Sequence, residues 1–267
     1  MDNESTQPIA FGVTPDLRPV EHRSLGSHFE WISASSTRVG CVRTLNEDAC
    51  LELIDRQLWA VADGMGGHKA GDVASRSIVD ALIAVTREAN FAQFVDNVEQ
   101  QVLSAHQYLL TLGRSLGQIA GSTVVVFMGH GRHGLVMWAG DSRAYLLRQG
   151  VLQPLTRDHS YVEELLARGE ISPADAHSHP EANVITRAVG AGQELYLDMD
   201  IVELYHGDML LLCSDGVYKE LSEQHINAIM SHGYSPAGIV QEMINACMEH
   251  GARDNVSAVV VKVIERV

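Results

Sequence analysis

Leu58-Trp59-Ala60-Val61-Ala62-Asp63-Gly64-Met65-Gly66-Gly67-His68 joins five apolar residues to a carboxylate, a glycine-rich turn and an imidazole. The apolar run reads as a buried strand, and the glycines as the turn that ends it. Past the turn the period changes. Val73, Ile78, Ala81, Leu82 and Val85 recur at three- and four-residue spacing, the pattern of an amphipathic helix. Two later apolar segments also carry an aspartate at one end. Met209-Leu210-Leu211-Leu212-Cys213 runs into Ser214-Asp215-Gly216, and Arg253-Asp254-Asn255 precedes Val256-Ser257-Ala258-Val259-Val260-Val261. Asp-Gly after a strand is also ordinary turn chemistry. Three strand-edge aspartates with a Gly-Gly-His continuation favour a site. If the segments are neighbouring strands, their carboxylates converge on one rim, and hard divalent cations prefer such clusters of oxygen ligands.

Working outward, short strands are expected over 29–36, 49–53 and 57–62, then helices over 73–85 and 91–103, the second capped by Asn90. Strands return over 123–128, 134–139 and 143–147, and the intervening Gly129-His130-Gly131 and Gly140-Asp141-Ser142 read as hairpin turns. Residues 158–187 lose regular period apart from a short helix over 161–167, and read as a mobile flap beside the site. Strands over 195–204, 208–213 and 255–264 alternate with helices over 222–231 and 236–250, which begin at Ser222 and at Ser235-Pro236. This order predicts an α+β fold of four layers, α-β-β-α, with two antiparallel sheets flanked by helix pairs. Residues 1–28, with Pro8, Pro15 and Pro19 among polar residues, read as a flexible or loosely docked tail. Residues 29–267 read as one domain.

Length and composition narrow the function classes. The 267 residues suffice for a sizeable core. Lys and Arg number 19 against 34 Asp and Glu, a formal charge of -15, which argues against sequence-independent affinity for nucleic acid or anionic lipid. Cys41, Cys50, Cys213 and Cys247 form no Cys-x-x-Cys pair, in keeping with a reducing cytosol. The polar start Met1-Asp2-Asn3-Glu4-Ser5 has no secretory character, and no apolar run approaches the ~18 residues that would cross a bilayer. A cytoplasmic monomer is the expectation.

Upstream lies Arg43-Thr44-Leu45-Asn46-Glu47-Asp48, a guanidinium and two carboxylates just before a strand. Arginine can grip two phosphate oxygens through its fork, and carboxylates can orient water by hydrogen bonds. Taken with Asp63-Gly64-Met65-Gly66-Gly67-His68, Gly121-Ser122-Thr123, Gly140-Asp141-Ser142-Arg143, Ser214-Asp215-Gly216 and Asp254-Asn255, this series resembles the metal-dependent protein phosphatase family, type 2C, in its bacterial form. The resemblance runs from about residue 30 to the C-terminus and includes Ile185-Thr186-Arg187-Ala188-Val189-Gly190.

The resemblance implies a serine/threonine phosphatase that hydrolyses phosphoserine and phosphothreonine by direct attack of a water bridging two manganese or magnesium ions. Asp63 would bridge the ions, the Gly64 carbonyl would help bind one, and Asp215 and Asp254 would complete the other. Asp141 would lie where some bacterial members bind a weaker third ion. Arg43 would hold the phosphate, Glu47 and Asp48 would position metal-bound waters, and His68 would protonate the leaving hydroxyl. Thr123 occupies a near-site position. Phosphorylated bacterial proteins and a cognate Ser/Thr kinase are the implied partners. Ser122 stands where a second glycine is frequent, Ser257 where threonine is frequent, and Met65 directly follows Asp-Gly; none removes a ligand.

Rival readings are weaker. A catalytically weak regulatory module that binds phosphoproteins would not need Arg43, Asp63, Asp215 and Asp254 intact. A phosphodiesterase or nuclease conflicts with the net charge. Cys247 and Arg253 have the spacing of a cysteine-dependent phosphatase, but the cysteine falls within a helix and a strand follows the arginine. His177-Ser178-His179 lacks a nearby acidic set, and the glycines from Gly64 to Gly71 do not end in the Gly-Lys-Ser/Thr of a nucleotide loop.

Overall fold

The computed structural model describes residues 9–10, 18–66, 69–176 and 179–266. Its strands in chain order are β1 (Ile9–Ala10), β2 (His22–Leu25), β3 (Phe29–Arg38), β4 (Asp48–Leu53), β5 (Leu58–Met65), β6 (Gly121–Ser122), β7 (Val124–His130), β8 (His133–Ala139), β9 (Arg143–Arg148), β10 (Val151–Pro154), β11 (Asp198–Glu203), β12 (Met209–Cys213) and β13 (Val256–Glu265). Its helices are α1 (Lys69–Ile83), α2 (Phe91–Leu116), α3 (Tyr161–Arg168), α4 (Pro173–Ala176), α5 (Asp215–Tyr218), α6 (Glu223–Ser231) and α7 (Pro236–Glu249). The strands form two antiparallel sheets. One runs β1-β4-β5-β7-β8-β11, with β6 added on β5; the other runs β10-β9-β12-β13-β3-β2.

Strand alternation generates the layers. On β5, Leu58, Ala60 and Ala62 pack with residues of α1 and α2, while Trp59 and Val61 face the second sheet. On β13, Ala258 and Val260 pack with α6 and α7, while Val259, Val261 and Val263 face the first sheet. Continuous apolar runs mark these central strands because both of their faces are covered. Between the sheets Trp31, Trp59 and Phe127 cluster, with ring centroids 5.5 Å apart for Trp31–Trp59 and 5.6 Å for Trp59–Phe127. Truncating Trp59 to alanine there would cost about 3–5 kcal/mol. The expected four-layer α-β-β-α architecture is thus present.

The expected caps also form: Asn90 accepts from the Ala92 N–H, Ser222 from His225 and Ser235 from Gly238. Some features differ from expectation. Gly140-Asp141-Ser142 is not a hairpin turn, because β8 and β9 lie in different sheets; the segment crosses between them, with Gly140 at φ +113° against Thr123. Paired structure also begins ahead of Phe29, where β2 lies along β3 and β1 along β4. β2 is a short edge strand alternating half-buried and exposed residues, so it has no apolar run to announce it. The rest of the expected tail, residues 1–8 and 11–17, lies outside the described residues, apart from 18–21 and 26–28, which flank β2.

Candidate metal centre and phosphate site

Alternation carries the inward face of each sheet to one rim. Asp63 follows Trp59 and Val61 on β5, and Asp48, its register partner on β4, lies on the same face as Cys50. Across the gap, Ser214 follows Leu210 and Leu212, Ser257 precedes Val259, and Thr37 is the register partner of Ser257. The inter-sheet core is therefore aromatic in the middle and becomes carboxylate and hydroxyl at this end. β12 and β13 are neighbours as expected, but β5 belongs to the facing sheet. The aspartates meet across the sandwich.

Asp48 joins the two sheets. Its Oδ2 accepts from Ser257 Oγ at 2.6 Å and Ser214 Oγ at 2.7 Å. Asn255 fixes the loop before it: Nδ2 donates to the Val39 and Leu45 carbonyls at 2.8 and 3.0 Å, and Oδ1 accepts from the Glu47 N–H at 2.8 Å. The Gly64 N–H in turn donates to the Glu47 carbonyl at 3.0 Å, an approach so close that a Cβ at Gly64 would meet Glu47 and Gly71 backbone. Thr123, buried, holds Asp63 from the other side. Its N–H donates to the Asp63 carbonyl at 2.9 Å and its Oγ1 accepts from the Asp63 N–H at 3.2 Å.

The electrostatics are those of an anionic cluster. Burial, followed by the charges of Asp48, Asp215, Asp141 and Asp254, pushes the Asp63 carboxyl well above the usual range. Burial pushes Asp48 up to about 7 against the pull of its two serine donors, and pushes Asp141 up to about 7 with the help of Asp215. Two expected ligands rest on cations. Arg43 Nη2 donates to Asp254 Oδ2 at 2.7 Å, and Lys219 Nζ to Asp215 Oδ2 at 2.5 Å. With these pairs in place, no group of three or more His, Cys, Asp or Glu among the described residues is gathered around a point that could hold an ion.

The donor set nevertheless suits a hard divalent cation. Asp48 Oδ1, Asp141 Oδ1 and Asp215 Oδ1 are buried without a hydrogen-bond partner, and buried carboxylate oxygens without donors are costly unless a cation satisfies them. Arg43 is half exposed beside Asp254, open to an incoming anion. His68 lies outside the described residues.

The start of the segment expected to be a flap is anchored on the same rim. His159 donates its N–H to the Gly140 carbonyl at 2.9 Å and accepts the Gly140 N–H on Nδ1 at 3.1 Å. Nδ1 therefore carries no proton, and Nε2 donates to Asp198 at 3.2 Å; burial lowers the imidazole pKa. Arg143 grips Asp158 through two bonds of 2.9 and 2.8 Å and stacks on Tyr218, whose hydroxyl donates to the Asp141 carbonyl at 3.0 Å. The rival thiol is inert: Cys247 is buried, its pKa pushed up to about 12, and Arg253 is held by Glu220. Of the flap histidines, His179 accepts the Glu181 N–H, while His177 and Ser178 lie outside the described residues.

The sequence alone assigns no role at the site to Thr37, Ser214, Ser257, Asn255, Lys219 or His159. Counting alternate residues inward from Trp31, Leu212 and Val259 would have placed the first three; the others have no local signal.

The family model described as Protein phosphatase 2C matches residues 42–260. The chain belongs to the protein phosphatase 2C family. Among members, the serine/threonine phosphatase stp of Listeria welshimeri is 33% identical over 232 residues, covering 84% of this chain and 92% of the relative. The serine/threonine protein phosphatase PstP of Mycobacterium tuberculosis is 34% identical over 230 residues, 85% of this chain and 44% of the relative. Among solved structures, PppA, described as a key regulatory component of T6SS in Pseudomonas aeruginosa, superposes with a TM-score of 0.82 at 38% identity, over 88% of this chain and 98% of that one. The catalytic domain of PstP in complex with two manganese ions gives 0.78 at 30% identity, over 89% and 100%.

Proposed function

We propose that this protein removes phosphate from phosphoserine and phosphothreonine in bacterial proteins, using manganese or magnesium held by Asp63, the Gly64 carbonyl, Asp215 and Asp254, with Asp141 serving a weaker third ion. The observation that supports the reading most is the meeting of buried carboxylates with undonated oxygens beside a half-exposed guanidinium. When bound, such ions activate water and neutralise charge on the phosphoryl oxygens.

The chain's own residues then have separable tasks. Arg43, released from Asp254, would hold two phosphate oxygens through its fork and so align the phosphorus with the rim. Asp48, oriented by Ser214 and Ser257, and Glu47, fixed by Asn255, would orient water by accepting hydrogen bonds. Thr123 keeps Asp63 in place through its backbone. His68 is the proposed proton donor to the leaving hydroxyl, since an imidazole titrates near neutrality. We read the chain from β2 to β13 as one domain, with 158–187 as its flap. A kinase that phosphorylates the same proteins would be its counterpart, in the cytoplasm; no helix among the described residues is long and apolar enough to cross a membrane.

Phosphate release from a phosphothreonine peptide, set against cleavage of bis-p-nitrophenyl phosphate, tests the reaction class. Peptide turnover that needs manganese and exceeds diester cleavage supports the reading. Equal or faster diester cleavage would indicate a phosphodiesterase, and no turnover with any metal a regulatory binding module.

A further inference from the structure

Lys219 follows α5, one turn beyond Asp215, and its N–H donates to the Asp215 carbonyl at 2.9 Å. Its ammonium makes two contacts: Asp215 Oδ2 at 2.5 Å and Asn183 Oδ1 at 2.8 Å. Asn183 belongs to the base of the flap, beside Val184, whose carbonyl accepts the Tyr161 N–H at 2.9 Å, and near the Ser160–Ile185 bridge. One cation therefore ties a rim carboxylate to the flap. The other Asp215 oxygen is buried and has no donor, so the ammonium satisfies only half of this carboxylate.

We propose that Lys219 is a latch that couples flap position to the ion at Asp215. A divalent ion and an ammonium compete for the same carboxylate and repel each other. Metal loading thus drives Nζ off Oδ2, and the flap loses its anchor through Asn183. The inference rests on Asp215 being a metal ligand. It makes Lys219 a positioning residue that weakens metal affinity while holding Asn183 to the rim in the metal-free protein.

Calorimetric titration with manganese alone, joined to hydrogen exchange of the amides in 181–186, tests it without reference to activity. Lys219→Met should bind manganese about tenfold more tightly, the size of a part-buried ion pair, and Lys219→Arg should stay close to wild type. Manganese should speed exchange in 181–186 of the wild type. In Lys219→Met those amides should exchange fast with or without metal. Unchanged or weaker manganese affinity in Lys219→Met, or wild-type exchange indifferent to manganese, overturns the latch while leaving the metal site standing. If the wild type binds no manganese at all, the metal-site reading and the latch fall together.

Discussion

Replacing Ser257 with alanine removes the last donor of a directional chain that ends on Asp48. Ser257 Oγ spends its one proton on Asp48 Oδ2 at 2.6 Å. The 2.7 Å contact between Thr37 and Ser257 must then run from Thr37, whose own oxygen accepts from Asn46 Nδ2 at 2.8 Å. Every proton in the chain points toward the carboxylate, a cooperative arrangement. A hydrogen bond to a buried charge contributes about 1.5–3 kcal/mol. Taking about 2 kcal/mol, and about 2–4 °C per kcal/mol for a chain of this size, Ser257→Ala should lower the melting temperature by about 4–8 °C.

The pH dependence follows from Asp48. Its folded pKa is raised to about 7, by burial first, so the ionised form is the disfavoured one and stability falls as pH climbs from the unfolded carboxylate value through about 7. The serine hydroxyl offsets this only while the carboxylate is charged. The deficit of Ser257→Ala should be full at about pH 8 and shrink at about pH 5, whereas Ser257→Thr, which keeps the hydroxyl, should melt close to wild type. Thermal unfolding followed by circular dichroism in chelator reads all three. A Ser257→Ala protein as stable as wild type at pH 8, or a deficit equal at both pH values, would refute the directional chain.

Two further outcomes are expected. Arg43→Ala should lower kcat/KM on a phosphopeptide by at least about tenfold, or about 1.4 kcal/mol of transition-state stabilisation, and Arg43→Lys should restore little, because an ammonium lacks the fork; unchanged steady-state kinetics would remove Arg43 from the phosphate site. Glu52 lies between the sheets, accepting from Ser33 Oγ at 2.9 Å, and burial raises its pKa to about 7. Its charge therefore costs stability above about pH 7 and nothing below its unfolded value. Glu52→Gln, which keeps the acceptor, should stabilise by about 2–3 kcal/mol at pH 8 and little at pH 5. A melting-temperature gain independent of pH would contradict this.

What could be read from the sequence was whatever one segment states by itself. The apolar runs ending in Asp63, Cys213 and Val261 announce central strands, and Asn90, Ser222 and Ser235 announce their helices. Gly140-Asp141-Ser142 misleads because a crossover between sheets and a hairpin turn use the same residues; only the pairing of β9 with β12 separates them. β2 and β10 escape notice since short edge strands bury too little to impose a pattern. At the site, Asp63, Asp141 and Asp215 stand out through their glycine neighbours. Thr37 and Ser257 are hydroxyls among other small polar residues, and acquire a role only when the facing sheet brings Asp48 within 2.6 Å. The pairings of Arg43 with Asp254 and Lys219 with Asp215 depend on the folded rim and the α5 turn respectively.

We propose that Asp63, at the meeting of both sheets, organises metal-dependent phosphomonoester hydrolysis. Phosphate release from a phosphothreonine peptide by wild type and Asp63→Asn, each with manganese, magnesium or excess chelator, tests it most directly. Wild-type turnover should require metal and be lost in a folded Asp63→Asn protein. Turnover that survives chelator, or that Asp63→Asn retains, would contradict it.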